Sequence, residues 1–113
     1  MYQKTTIKHY YLTFLMNKEN QNTEWKESWR DEYIKWICGF ANAVGGTLYI
    51  GVADNGQVVG LNDATQLIVE IPNKVRDVLG IMVDVNLLYK GELSYIEIIV
   101  EPLMFYSGFL IQR

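Results

Sequence analysis

"WICGFANAVGGTLYIGVADNGQVVGL", Trp36 to Leu61, is the stretch on which the fold turns. Its part from Ile37 to Ala53 carries no charged residue, yet holds four of the nine glycines. The overlapping run "RDEYIKWICGFANAVGG" sets Tyr33, Ile34, Ile37, Cys38 and Ala41 at helical spacing, which predicts a helix with one apolar face turned inward. The paired glycines end it, with Gly45 or Gly46 taking the left-handed position that glycine adopts at little cost. "TLYIGVA" follows with the β-branched and aromatic content of a buried strand. "ADNGQVV" then predicts a hairpin, because Asn-Gly accepts the positive φ angles of a tight turn.

Working outward toward the N-terminus, Met1 to Asn17 mixes lysines with Tyr10, Tyr11, Leu12, Phe14 and Leu15 and reads as a short helix. "NKENQNTE" is a polar connector, and "TEWKESW" alternates as a short strand would, with Glu24 and Lys26 on its exposed side. Toward the C-terminus, a second helix is predicted from about Asp63, as N-cap, to Leu79, kinked or broken at Pro72. "IMVDVNLLYKGELSYIEIIVEP" gives two alternating strands about a Lys90-Gly91 turn, and Tyr106 to Gln112 gives a last strand. The expected architecture is a single α+β domain over residues 1–113: a mixed or antiparallel sheet with β-hairpins, packed against two or three helices.

Composition narrows the function. At 113 residues the chain is long enough for one real core and short for two. A net charge of −3 and a pI near 5.0 argue against a strongly basic binder of nucleic acid or membrane, since attraction to phosphate by the whole molecule needs excess Lys and Arg. The one cysteine, Cys38, cannot form an internal disulfide and suits a reduced core thiol; with His9 in a distant segment, no nucleophile-base pair or zinc site is indicated. No apolar run reaches membrane-spanning length, and "MYQKTTIKHYYLTF" lacks the apolar stretch of a signal peptide, so a cytoplasmic protein is expected. There is no phosphate-binding P-loop, and the glycines of "GGTLYIG" follow a helix and lead into a strand, the reverse of a dinucleotide-binding turn.

Several motifs in this order resemble the Schlafen AlbA_2 domain, a DNA-binding module of bacterial regulators also found beside divergent AAA-type segments. They are "EWKES" (Glu24 to Ser28), the long stretch through Leu61, "IEIIVEP" (Ile96 to Pro102) and, more weakly, "YSGFLIQR" (Tyr106 to Arg113). The family shows there an acidic-aromatic-Lys-Glu element, a Phe-Ala-Asn-x-x-Gly-Gly helix end, a Gly-Val-x-Asp strand end, a Val-x-Gly-Leu exit and a Tyr-x-Gly strand ending in Arg. The similarity covers Glu19 to Arg113 as the family core, with residues 1–18 as an N-terminal helix or extension. Asn42, Gly45, Gly46, Gly51 and Gly56 form its structural motif. Two departures stand out: the segment from Pro102 to Tyr106 is short and lacks the family's second proline, and the chain stops at Arg113 where family members run on. An isolated or truncated module is expected.

The resemblance implies nucleic acid, DNA or RNA, as partner, with a role in transcription regulation. Lys18, Lys26, Arg30 and Lys35 are the candidate phosphate contacts, with Lys4 and Lys8 further upstream. Tyr2, Tyr10, Tyr11, Trp25 and Trp29 interleave with these cations and suit base stacking, although aromatics so placed also serve as core. The RNA-cutting Schlafen branch implies a second reading. Its three-carboxylate site maps onto Glu19, Glu24 and Asp54, whose hard oxygen ligands would suit Mg²⁺ or Mn²⁺. Against this, Glu19 lies in a polar connector and Asp54 precedes Asn-Gly, where Asp favours turns. Two-lobed eukaryotic relatives imply a third reading, a homodimeric assembly module.

Overall fold

The computed structural model describes residues 22–103. Four strands form one mixed sheet: β1 (Thr23–Lys26), β2 (Gly46–Ile50), β3 (Asp84–Lys90) and β4 (Leu93–Val100), in spatial order β1-β2-β4-β3. β1 and β2 are parallel, and the other pairs are antiparallel. A parallel pair needs a crossover. Here a 3-10 turn, Asp31–Tyr33, and helix α1, Ile34–Ala41, supply it. Helix α2, Ala64–Leu79, links β2 to the β3–β4 hairpin.

The pleat sorts the sheet into two faces. Leu48 pairs with Ile98 and Ile50 with Ile96, so these side chains share one face, and Val85 and Leu87 of β3 extend it. Onto that face α1 lays Ile34, Ile37, Cys38 and Ala41, and α2 lays Ala64, Leu67, Ile71, Val75 and Leu79. The α2 residues recur every three or four positions, as one stripe of an amphipathic helix must. Ile37, Leu48, Ile50, Ile71, Ile96 and Ile98 are wholly buried, and each such side chain contributes roughly 1.5–3 kcal/mol of transfer free energy. Among the described residues no polar or charged side chain is buried. Nor is any helix long and apolar enough to cross a membrane.

The α+β architecture and the expected helices and strands within the described residues are present, and the details differ in four places. Helix α1 ends at Ala41, with Asn42 as C-cap, because residues 42–44 make a turn that closes with the Gly45 N–H donating to the Phe40 carbonyl at 2.8 Å. Gly45, at φ 87°, therefore redirects the chain into β2 instead of capping the helix directly. The tight Asn-Gly hairpin becomes a three-residue loop, Asp54-Asn55-Gly56: Gly56 N–H donates to the Ala53 carbonyl and Ala53 N–H to the Gln57 carbonyl, each at 2.8 Å, with Gly56 at φ 87°. The second hairpin turns at Gly91-Glu92, since Lys90 and Leu93 are still paired. Finally, α2 runs through Pro72 without a break; its buried stripe on both sides of the proline outweighs the missing hydrogen bond. The helix expected over Met1 to Asn17 and the strand over Tyr106 to Gln112 lie outside the described residues.

Candidate nucleic-acid interface

β1 is an edge strand among those described, and its side chains divide between the two faces. Register places Glu24 beside Leu48 and Lys26 beside Ile50, on the helix side, and Trp25 beside Tyr49, on the other. The alternation is as expected, but Glu24 and Lys26 are not on a free exposed side: both are half-buried at the rim of the helix layer. The Lys26 ammonium stands 4.9 Å from the centre of the Tyr33 ring and 5.4 Å from that of Trp36. Two ring faces hold a cation in place through their quadrupoles, at roughly 0.5–1 kcal/mol each for exposed sites. Glu24 lies 3.5 Å from the same ammonium, with both side chains about a quarter exposed.

Around this held lysine the segment Trp29 to Phe40 adds further cations and rings. Arg30 and Lys35 are exposed. Lys35 and Trp36 join Gly39 and Phe40 in lining a groove of about 420 Å³. Of the acidic neighbours on this segment, Glu32 is exposed and Asp31 is engaged: Lys74 donates to both of its oxygens, at 2.9 and 3.1 Å, and the Trp29 indole N–H donates to Oδ1 at 2.8 Å. The hydrogen bond from Lys74, then that from Trp29, holds the Asp31 carboxyl below the usual carboxylate range.

On the face turned away from the helices, one row of side chains crosses all four strands: Trp25, Tyr49, Glu97 and Asn86. Tyr49 Oη donates to Glu97 Oε2 at 3.0 Å, and Asn86 Nδ2 donates to Glu97 Oε1 at 3.1 Å. Partial burial, then the hydrogen bond to Glu97, pushes the Tyr49 phenol up to about 12. Tyr95 leans against Tyr49, ring centres 6.4 Å apart at 43°, a favourable aromatic separation. The Asp54-Asn55-Gly56 loop closes over Trp25, where a Cβ at Gly56 would lie 3.2 Å from the indole ring.

Residues 19–105 match the family model described as "Schlafen, AlbA_2". The chain belongs to the Schlafen AlbA_2 family. Two solved structures share the AlbA_2 fold with it. One is the DIP2311 protein of Corynebacterium diphtheriae, at TM-score 0.63 and 18% identity over 84% of this chain; the chain spans only 23% of that protein's length. The other is the N-terminal domain of a protein from Nitrosomonas europaea described as related to the ATP-dependent DNA helicase RecG, at TM-score 0.62 and 18% identity over 81% of this chain and 71% of that one. No curated protein matches.

Within the AlbA_2 domain the family's motif glycines have distinct structural duties. A Cβ on Gly46 would meet Phe40 Cδ1 at 2.6 Å and the Asn22 carbonyl at 2.7 Å, so the end of α1 rests directly on the β2 backbone. Gly51 ends β2 against Leu61 and Tyr95. Asn42 is the C-cap of α1, its amide reaching Cys38 Sγ at 3.5 Å. Of the expected nucleic-acid contacts, Lys26, Arg30 and Lys35 belong to the β1–α1 corner, and Lys18 lies outside the described residues. Of the expected carboxylates, Glu24 sits beside Lys26, Asp54 is exposed in its loop, and Glu19 lies outside the described residues. Among the described residues no three His, Cys, Asp or Glu side chains gather as metal ligands do. Sequence reading did not reach Tyr33 and Trp36 as the holders of Lys26, or the row through Tyr49 and Glu97. The period-two alternation of β2 and β4 carried a signal for the latter, but it needs the cross-strand register to become visible.

Proposed function

We propose that this AlbA_2 domain is a nucleic-acid-binding module of a cytoplasmic transcription regulator, contacting phosphate through the β1–α1 corner. The observation that carries the reading is Lys26 held between Tyr33 and Trp36, with Arg30 and Lys35 exposed on the same connecting segment. A cation fixed before binding loses little side-chain freedom on meeting a phosphate, and flanking rings suit sugar and base. Family membership and a structural neighbour described as helicase-related support the same partner class. With ten basic residues against thirteen acidic ones, affinity belongs in the weak, non-specific range of roughly 10⁻⁴–10⁻⁶ M at physiological salt. Pairing of two copies would double the number of contacts, and light scattering during size exclusion reads that state directly.

The test is fluorescence anisotropy of labelled duplex DNA and structured RNA across a salt series. Binding is expected to weaken with salt, and Lys26→Ala is expected to lower affinity for every sequence alike and reduce the salt slope by about one. Wild-type protein that leaves all probes free would refute the reading. Adding Mn²⁺ to the RNA samples examines the nuclease alternative: cleavage that disappears in Glu24→Gln/Asp54→Asn would assign those two carboxylates to metal-dependent cutting.

A further inference from the structure

We propose that the pocket on the sheet face turned away from the helices takes an unstacked base of a single-stranded nucleic acid, an inference that rests on the nucleic-acid reading above. The pocket encloses about 340 Å³, at the small end of the range for ligand sites. Its walls are the rings of Trp25, Tyr49 and Tyr95, and Val52, Gly56 and Val58 of the loop segment complete it. Flat π surfaces around a small space suit a planar ligand better than a branched aliphatic one, and every base has a π face to stack.

Polar chemistry narrows the ligand further. The Tyr49 hydroxyl donates its hydrogen bond to Glu97, so toward the pocket it can only accept, and Thr23 adds a hydroxyl at the rim. Behind Tyr49, outside the pocket's lining, the Glu97 carboxylate is held by two donors. A negative charge beside the pocket disfavours phosphate and favours the N–H groups on a base edge. The base would therefore enter while its phosphates stay outside. β1 joins this pocket to the phosphate-binding corner, since neighbouring Trp25 and Lys26 point to opposite faces of the same strand. A duplex keeps its bases stacked inside and cannot fill such a pocket without flipping a nucleotide out, which costs a few kcal/mol.

Anisotropy of a labelled single-stranded 12-mer and its duplex, with wild type and Tyr49→Leu, tests this. The single strand is expected to bind wild type more tightly than the duplex. Tyr49→Leu is expected to weaken single-strand binding roughly tenfold, a stacking contribution near 1.4 kcal/mol, and to leave duplex binding unchanged. A strand carrying 5-iodouracil, irradiated on wild-type protein, is expected to crosslink to Trp25, Tyr49 or Tyr95; this readout does not depend on a variant folding. Nucleic acid bound with crosslinks only elsewhere, or single-strand affinity unmoved in a folded Tyr49→Leu, would overturn the pocket and leave the phosphate corner standing. No binding of any probe would overturn both readings.

Discussion

A methyl group at Gly46 would stand 2.6 Å from Phe40 Cδ1 and 2.7 Å from the Asn22 carbonyl oxygen. One obstacle is backbone and the other a buried ring, so neither yields cheaply. Gly46→Ala is expected to cost roughly 1–3 kcal/mol, the range for forced overpacking, read as a lower urea midpoint at unchanged slope. A second expectation at this scale concerns Tyr49. Its phenol, raised to about 12 by burial and by Glu97, favours the neutral form in the folded protein. That contribution to stability is complete below the ordinary tyrosine value near 10 and fades as pH climbs through about 12. In ultraviolet titration one tyrosine should ionise late, and Glu97→Gln should bring it earlier. The buried face of α1, the turn at the glycine pair and the buried Cys38 were legible in the sequence because local sterics and apolar spacing dictate them. The cage around Lys26 was not, since Tyr33 and Trp36 reach it only after a crossover has folded back on β1.

At the level of elements, period and turn chemistry pointed to β1, α1, β2, α2 and the β3–β4 hairpin, and packing then adjusted their ends. Pro72 shows how. Sequence alone expects a kink or a break, because proline removes the bond to the Ile68 carbonyl and its ring crowds the preceding turn. The stripe from Ala64 to Leu79 continues through it, with Ile71 and Val75 wholly buried on either side, so burial overrides local preference. The defect should still be measurable. Pro72→Ala is expected to raise stability by up to about 3 kcal/mol, seen as a higher melting temperature; an unchanged or lower one would mean that the half-buried ring contributes packing of equal weight. The side taken by Trp25 was equally beyond local reading. Alternation separates Trp25 from Glu24 and Lys26, but which set meets the helices depends on the parallel register with β2.

At the largest scale, the described residues set a helix layer on one face of a four-stranded sheet and leave two distinct surfaces, the corner that carries Lys26, Arg30 and Lys35 and the aromatic face around Tyr49 and Glu97, meeting at β1. Among the described strands β1 is also the shortest. It has four residues, all half-buried, and among the described strands it pairs on one side only. β3 and β4, by contrast, run antiparallel over seven residue pairs and are joined by a two-residue loop. Contacts so close in sequence form early, whereas β1 must wait for α1 to swing it alongside β2. Amide hydrogen exchange is expected to follow this order, with Trp25 and Lys26 losing protection well before Ile96 and Ile98. The strand that carries the proposed binding chemistry is thus expected to fold last and open first among the four. A ligand gripping it would act as a late folding partner, slowing β1 opening in proportion to its free concentration over Kd while the β3–β4 hairpin keeps its own rate.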